Sequence, residues 1–115
     1  MFKNLQVVLF AFTILFSPFS MASERAEQGW QLIEQGALIV DVRTPQEFDD
    51  AHLNNALNFP LHELDKHFSS INKDRVIVLY CRSGNRSGQA YNYLLEQGFT
   101  HLHNAGGLQE MQTSK

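Results

Sequence analysis

This sequence predicts an α/β domain built on a small, mostly parallel sheet with helices on both faces. Three observations carry that expectation. Short apolar, β-branched runs alternate along the chain with segments of helical spacing. Turn residues and a helix start follow the strand-like runs, so neighbouring strands are joined by right-handed crossovers. The length of 115 residues admits one domain and leaves no room for a second.

Taken in order, residues 24–35 place Ala26, Trp30 and Ile33 three or four positions apart, with Gly36 as a stop, which predicts a helix. Residues 37–40 are a continuous apolar run ending in Asp41, short enough for a buried strand. Thr44 caps and Pro45 opens a short helix that runs through Phe48 to Ala51. Residues 56–59 form a weaker strand closed by Pro60, after which Leu61, Leu64 and Phe68 fall at helical spacing. The strongest strand is 76–80, V-I-V-L-Y. Residues 87–97 form a helix with Ala90, Tyr93 and Leu94 on one face and Gly98 beyond its end. A last strand is expected at 100–103, followed by Gly106-Gly107 and a short polar tail. No internal repeat, low-complexity tract or linker interrupts the series.

Residues 1–22 read as an export signal. Lys3 is the only charge before Glu24, and residues 5–16 are apolar apart from Gln6 and Thr13. Ser17, Pro18 and Ser20 lead into a small-x-small cleavage site, Ser20-Met21-Ala22. The apolar run falls short of the ~20 residues a spanning helix needs, although an uncleaved anchor is the alternative. No cysteine follows the run, which excludes a lipid-modified N-terminus. The expected organisation is a cleavable signal peptide over 1–22 and one domain over 23–115. That domain is expected to be soluble in an exported compartment, the periplasm in a bacterium, with no stable membrane association after cleavage.

Nine Lys and Arg against twelve Asp and Glu give a net charge of −3, so there is no basic excess to neutralise nucleic-acid phosphates. The single cysteine excludes an internal disulfide framework and a multi-Cys zinc site. An exported protein with one unpaired thiol either hides it or uses it.

Cys81-Arg82-Ser83-Gly84-Asn85-Arg86-Ser87 joins the strongest strand to a helix, where open α/β sheets bind ligands. A tight turn of Gly, Ser and Asn lets backbone N–H groups face inward as an anion-binding nest. The next helix adds the positive end of its dipole, and Arg82 and Arg86 add full charge. All three favour a thiolate, moving Cys81 from ~8.5 toward or below neutral. Cys81 is the catalytic candidate; Arg82, Ser83, Gly84, Asn85 and Arg86 form the substrate-binding cradle. Cys81 could instead be buried filler, but apolar burial does not call for two arginines and a tight turn beside it. In cysteine phosphatases the spacing is C-x5-R; here Arg86 comes one residue early. The smaller cradle suits one sulfur atom carried on Cys81 better than a phosphoryl group.

An ordered series runs through the chain: Asp41-Val42-Arg43, Glu47-Phe48, Ala51-His52-Leu53, Asn55-Ala56, Asn58-Phe59-Pro60-Leu61, the Cys81–Ser87 loop and Asn104-Ala105-Gly106-Gly107. In this series the chain resembles the single-domain rhodanese (thiosulfate sulfurtransferase) family, in its small exported phage-shock-protein-E type. The resemblance implies a rhodanese-like sheet of four to five strands and a persulfide on Cys81. It implies that Asp41 and Arg43 are supports, with Ser87, rather than an acid–base pair. Thiosulfate is the implied donor, its sulfonate held by Arg82 and Arg86 and the persulfide by backbone N–H groups of 82–86. Cyanide or a thiol is the acceptor, and neither metal nor organic cofactor is needed.

Other readings are a persulfide carrier serving a thiol-carrying protein partner, and an oxyanion reductase or phosphatase-like enzyme. His101 and His103 share a strand face without a third ligand, while His52, His62 and His67 are expected to cap, pack or face solvent. Trp30 and the Phe residues read as core. Three departures from the family stand out. Ala51 and Asn55 replace its usual glycines, which is expected to reshape those turns. Little chain remains after Gly107 for a final helix. No strand is visible ahead of residue 24, which favours four strands.

Overall fold

The apolar runs become four strands of one all-parallel sheet in the computed structural model, which describes residues 23–115. The export signal expected over residues 1–22 lies outside the described residues. In chain order the elements are α1 (Glu24–Glu34), β1 (Leu38–Asp41), α2 (Pro45–Asp50) and β2 (Leu57–Asn58). A 3-10 turn (Leu61–Glu63), α3 (Leu64–Phe68), β3 (Ile77–Cys81), α4 (Asn85–Glu96), β4 (Leu102–Gly107) and α5 (Leu108–Thr113) complete them.

The strand order is β2-β1-β3-β4. From β1 the chain moves outward to β2, then returns past β1 to β3 and on to β4. Connections therefore leave β1 and β3 in opposite directions, and a right-handed crossover sends each to a different face. Phe48 of α2 packs with Ala26, Ile39, Val78, Tyr80, Ala105 and Met111 on one face. Ala90 and Leu94 of α4 pack with Phe68, Ile77, Leu79, Cys81 and Phe99 on the other. The alternation along β3 follows from the two-residue period of a strand, and burial of all five of its residues from a parallel sheet covered on both sides. The carboxyl ends of β1 and β3 thus frame a topological switch point, where such sheets leave a crevice for ligands.

Several element boundaries differ from the sequence expectation. Cys81 is the last residue of β3 rather than the first after it, and α4 starts at Asn85 rather than at 87. The loop shrinks to Arg82-Ser83-Gly84 because Gly84 adopts φ 98°, a left-handed conformation that costs little without a Cβ. The last strand does not stop at 103. It continues to Gly107 through a bulge, since Leu79 pairs with Asn104 but Cys81 pairs with Gly107. In place of a polar tail, α5 follows, its start held by Glu110 accepting the Gly107 N–H at 3.2 Å. Asn55 adopts φ 71° itself, a region Asn tolerates, and Ala51 is extended, a conformation that needs no glycine. Among the described residues the chain enters the fold through α1, and the sheet has four strands.

Tyr80 ties the segment after α2 to the sheet. Fully buried, its hydroxyl accepts the Leu53 N–H at 3.0 Å, and burial, with a further contribution from Asp41, pushes the phenol well up. Tyr80→Phe leaves that buried N–H without a partner and is expected to cost ~1–3 kcal/mol. A lower urea midpoint at unchanged denaturant slope is the expected measurement; an unchanged midpoint would show that Leu53 finds another acceptor.

Candidate active site

The Cys81 sulfur sits at the floor of the switch point with no exposed surface. Gly84 N–H donates to Sγ at 3.0 Å and Ser87 N–H at 3.4 Å, while the Ser87 hydroxyl lies 3.4 Å away. Local sequence explains this convergence. The left-handed Gly84 turns the chain back over the end of β3, so the free N–H groups of the first turn of α4 face the sulfur. Burial alone pushes the thiol up. The Ser87 hydroxyl and the amides of Ser87, Ser83 and Gly84 outweigh it, leaving Cys81 below the ordinary thiol value. The cysteine is both buried and activated.

Asn104 holds the cradle from the β4 bulge. Its Oδ1 accepts the Ser87 hydroxyl at 2.7 Å and the Gly106 N–H at 3.1 Å, and its Nδ2 donates to the Gly84 carbonyl at 3.0 Å. The one hydroxyl proton of Ser87 is therefore shared between Asn104 and the sulfur. In the sequence Asn104 stands out only as part of the run Asn104-Ala105-Gly106-Gly107; its contact with the loop depends on a bulge that no local pattern announces. Gly107 is equally specific, because a Cβ there would lie 2.1 Å from the Arg82 carbonyl oxygen.

The two loop arginines have different surroundings. Arg86 is expected to grip substrate, but its guanidinium already forms a fork with Glu47, at 2.8 and 3.0 Å. That pair spans the crevice from α4 to α2. It holds the Glu47 carboxyl down at about 2, Arg86 being the main cause and Thr44 contributing through its N–H and hydroxyl. Glu47 also completes the capping box of α2 with Thr44. Arg82 is exposed and forms no ion pair among the described residues. It lines an open cleft of about 470 Å³ with Arg43, Glu47, Asp50, Leu108 and Gln109. A larger cleft of about 590 Å³, between the 3-10 turn and α4, is lined by neither loop arginine, and Cys81 lines neither cleft. Ser83 and Asn85 are exposed, with the Asn85 N–H 3.4 Å from the Ser83 hydroxyl oxygen.

Asp41 and Arg43 face into the β1–α2 corner, 0% and 6% exposed. Asp41 Oδ1 accepts the Arg43 backbone N–H and Nε–H, each at 2.9 Å, and Oδ2 accepts from a terminal guanidinium nitrogen at 2.7 Å. Arg43 also donates to the Ala51 carbonyl at 2.6 Å. The guanidinium is thus consumed by the end of β1 and the exit from α2. Of the histidines, His52 stacks on Phe48 and His67 on Phe59, His62 is largely exposed, and His103 meets the Arg25 carbonyl. Among the described residues, no group of three or more His, Cys, Asp or Glu could hold a metal ion.

The family described as Rhodanese-like domain matches residues 25–114. The thiosulfate sulfurtransferase PspE of Escherichia coli is 37% identical over 78 residues, covering 66% of this chain and 75% of that protein. A sulfurtransferase of Allochromatium vinosum is 44% identical over 73 residues, covering 64% and 68%. A solved structure described as a rhodanese with anions from E. coli superposes with a TM-score of 0.60 at 36% identity, covering 65% of this chain and 91% of that one.

Ser87→Ala removes one of the donors that lower the thiol and leaves the three amides. The Cys81 pKa is expected to rise by about half a unit to one unit. The pH profile of iodoacetamide alkylation measures it; a profile that does not move upward would show that the hydroxyl proton belongs to Asn104 alone.

Proposed function

The chain belongs to the rhodanese-like domain family, and on that premise we propose that it is a thiosulfate sulfurtransferase acting through a persulfide on Cys81. The observation that carries this reading is a buried sulfur ringed by backbone N–H groups at a sheet switch point. It is supported by the thiosulfate sulfurtransferase and sulfurtransferase names of relatives at 37% and 44% identity.

In the first half-reaction the Cys81 thiolate attacks the outer sulfur of thiosulfate in line with the S–S bond. A new S–S bond forms to Sγ, the old one breaks, and its electron pair leaves with sulfite. In the second, a thiophile such as cyanide or a thiolate attacks the outer sulfur of the persulfide, and Cys81 departs as the thiolate. No oxidant, metal or organic cofactor enters the balance. The amides of Ser83, Gly84 and Ser87 stabilise the thiolate, which is the nucleophile of the first step and the leaving group of the second. Arg82, exposed in its cleft, offers its guanidinium to the sulfonate. Arg86 reaches substrate only by sharing or leaving Glu47, so its first role is to set the distance between α4 and α2.

Residues 1–22 carry the charge pattern and cleavage site of an export signal, and the family match begins just beyond them, at residue 25. We assign residues 23–115 to the mature domain, working in the periplasm of a bacterial cell. No helix among the described residues is long and apolar enough to cross a membrane.

Intact-mass measurement after thiosulfate treatment is expected to show one added sulfur that cyanide removes. Cys81→Ser is expected to take up none and to lose turnover; turnover retained by that variant would end the proposal. Arg82→Ala is expected to raise the KM for thiosulfate about tenfold, the size of one charge-assisted contact, with alkylation of Cys81 unchanged. An unaltered KM would remove Arg82 from the site.

A further inference from the structure

Arg25 projects from the first turn of α1 onto the active loop, far from it in sequence. Glu110 of α5 holds its guanidinium in a fork, Nε to Oε2 at 2.8 Å and a terminal nitrogen to Oε1 at 2.8 Å. That same terminal nitrogen donates to the Ser83 carbonyl at 3.1 Å. The Ser83–Gly84 peptide is trans, so its C=O and N–H point in opposite directions. Its N–H is the Gly84 donor that reaches Cys81 at 3.0 Å, the shortest contact to the sulfur. Arg25 therefore grips the outer end of the peptide whose inner end makes the shortest hydrogen bond to Sγ.

The surroundings are cut to fit this contact. A Cβ on Gly84 would lie 2.9 Å from both terminal nitrogens of Arg25, and a Cβ on Gly106 would lie 2.3 Å from Glu110 Oε1 and 2.6 Å from Arg25 Nε. Two glycines thus leave the space in which the guanidinium lies. Ser23 donates its hydroxyl to Glu110 Oε2 at 2.6 Å, and the Gly107 N–H donates to Oε1, so the carboxylate is fixed on three sides. These bonds, the Arg25 pair first, hold Glu110 down at about 2, ionised at any working pH.

We propose that Arg25, anchored by Glu110, is a positioning residue that aims and polarises the Ser83–Gly84 amide toward the Cys81 sulfur. A cation on a carbonyl oxygen strengthens the N–H of the same peptide as a donor, because charge is drawn across the amide. Arg25 from α1 and Arg86 from α4 act on the sulfur through their charge, with Glu110 behind the first and Glu47 behind the second, and exposed Arg82 follows Cys81 directly in the loop. The inference rests on reading Cys81 as a nucleophile, and its consequence is a lower thiol pKa.

The test is the pH profile of iodoacetamide alkylation in the chain and in Arg25→Gln and Glu110→Gln, with persulfide uptake from thiosulfate followed by mass. Arg25→Gln is expected to raise the Cys81 pKa by about one unit, and so to slow alkylation about tenfold below it, with the folded fraction unchanged. Glu110→Gln decides the cause by its sign. If only net charge mattered, removing a carboxylate would lower the thiol pKa; loss of the anchor raises it. A rise in both variants supports the proposal. A fall or no change in Glu110→Gln, or no change in Arg25→Gln, overturns it while normal persulfide uptake leaves the sulfurtransferase reading intact. Absence of uptake in the unaltered chain would instead overturn that reading.

Discussion

A thiolate with no exposed surface must be solvated by the protein, and this requirement organises the molecule. Burial of an unpartnered anion is costly enough that the group takes up its proton instead. Here the backbone supplies the solvation. Amides from Ser83, Gly84 and Ser87 converge on Sγ because β3 ends, Gly84 reverses the chain, and α4 begins within three residues. Lengthening that loop, or adding a Cβ at Gly84, would turn the donors away. The reactive group and the turn that makes it reactive are one structural unit.

Around this unit the fold contributes clamps rather than further reactive groups. Arg43 neutralises Asp41 at the end of β1, Arg86 bridges α4 to Glu47 of α2, and Asn104 fastens the β4 bulge to Ser87 and Gly84. They join the end of β1 to the exit from α2, α4 to α2, and β4 to the start of α4. Arginine suits the first two because its planar fork matches a carboxylate with two parallel hydrogen bonds, and its charge persists inside the protein. Two of the three arginines that the sequence draws near the site therefore hold protein carboxylates. Arg82 alone is left turned toward open solvent, where an anionic donor would arrive.

The outer segments belong to the same design. Helices α1 and α5 are separated by the whole domain in sequence, yet Arg25, Ser23 and Glu110 join them directly over the loop. Trp30 adds an indole N–H donated to the Met111 carbonyl at 2.7 Å. The short C-terminal helix, which the sequence left little room for, therefore closes the face beside the loop and anchors a cation there.

What the sequence determined by itself was most of the local structure, though not α5 or the far end of β4. Four strands, the capped start of α2, the stop at Gly36 and the strand–cysteine–turn–helix arrangement are each written in a few adjacent residues, through apolar runs, a Thr-Pro pair and a small-residue turn. The nucleophile was legible for the same reason, since its activation comes from the six residues after it. Contacts across the chain were not legible. That Arg86 would meet Glu47, that Asn104 would face Ser87, and that Arg25 would reach Ser83 depend on strand order, a one-residue bulge and the packing of two terminal helices. Charge pairing has no sequence period to read, and only the tertiary structure chose which carboxylate each arginine would meet.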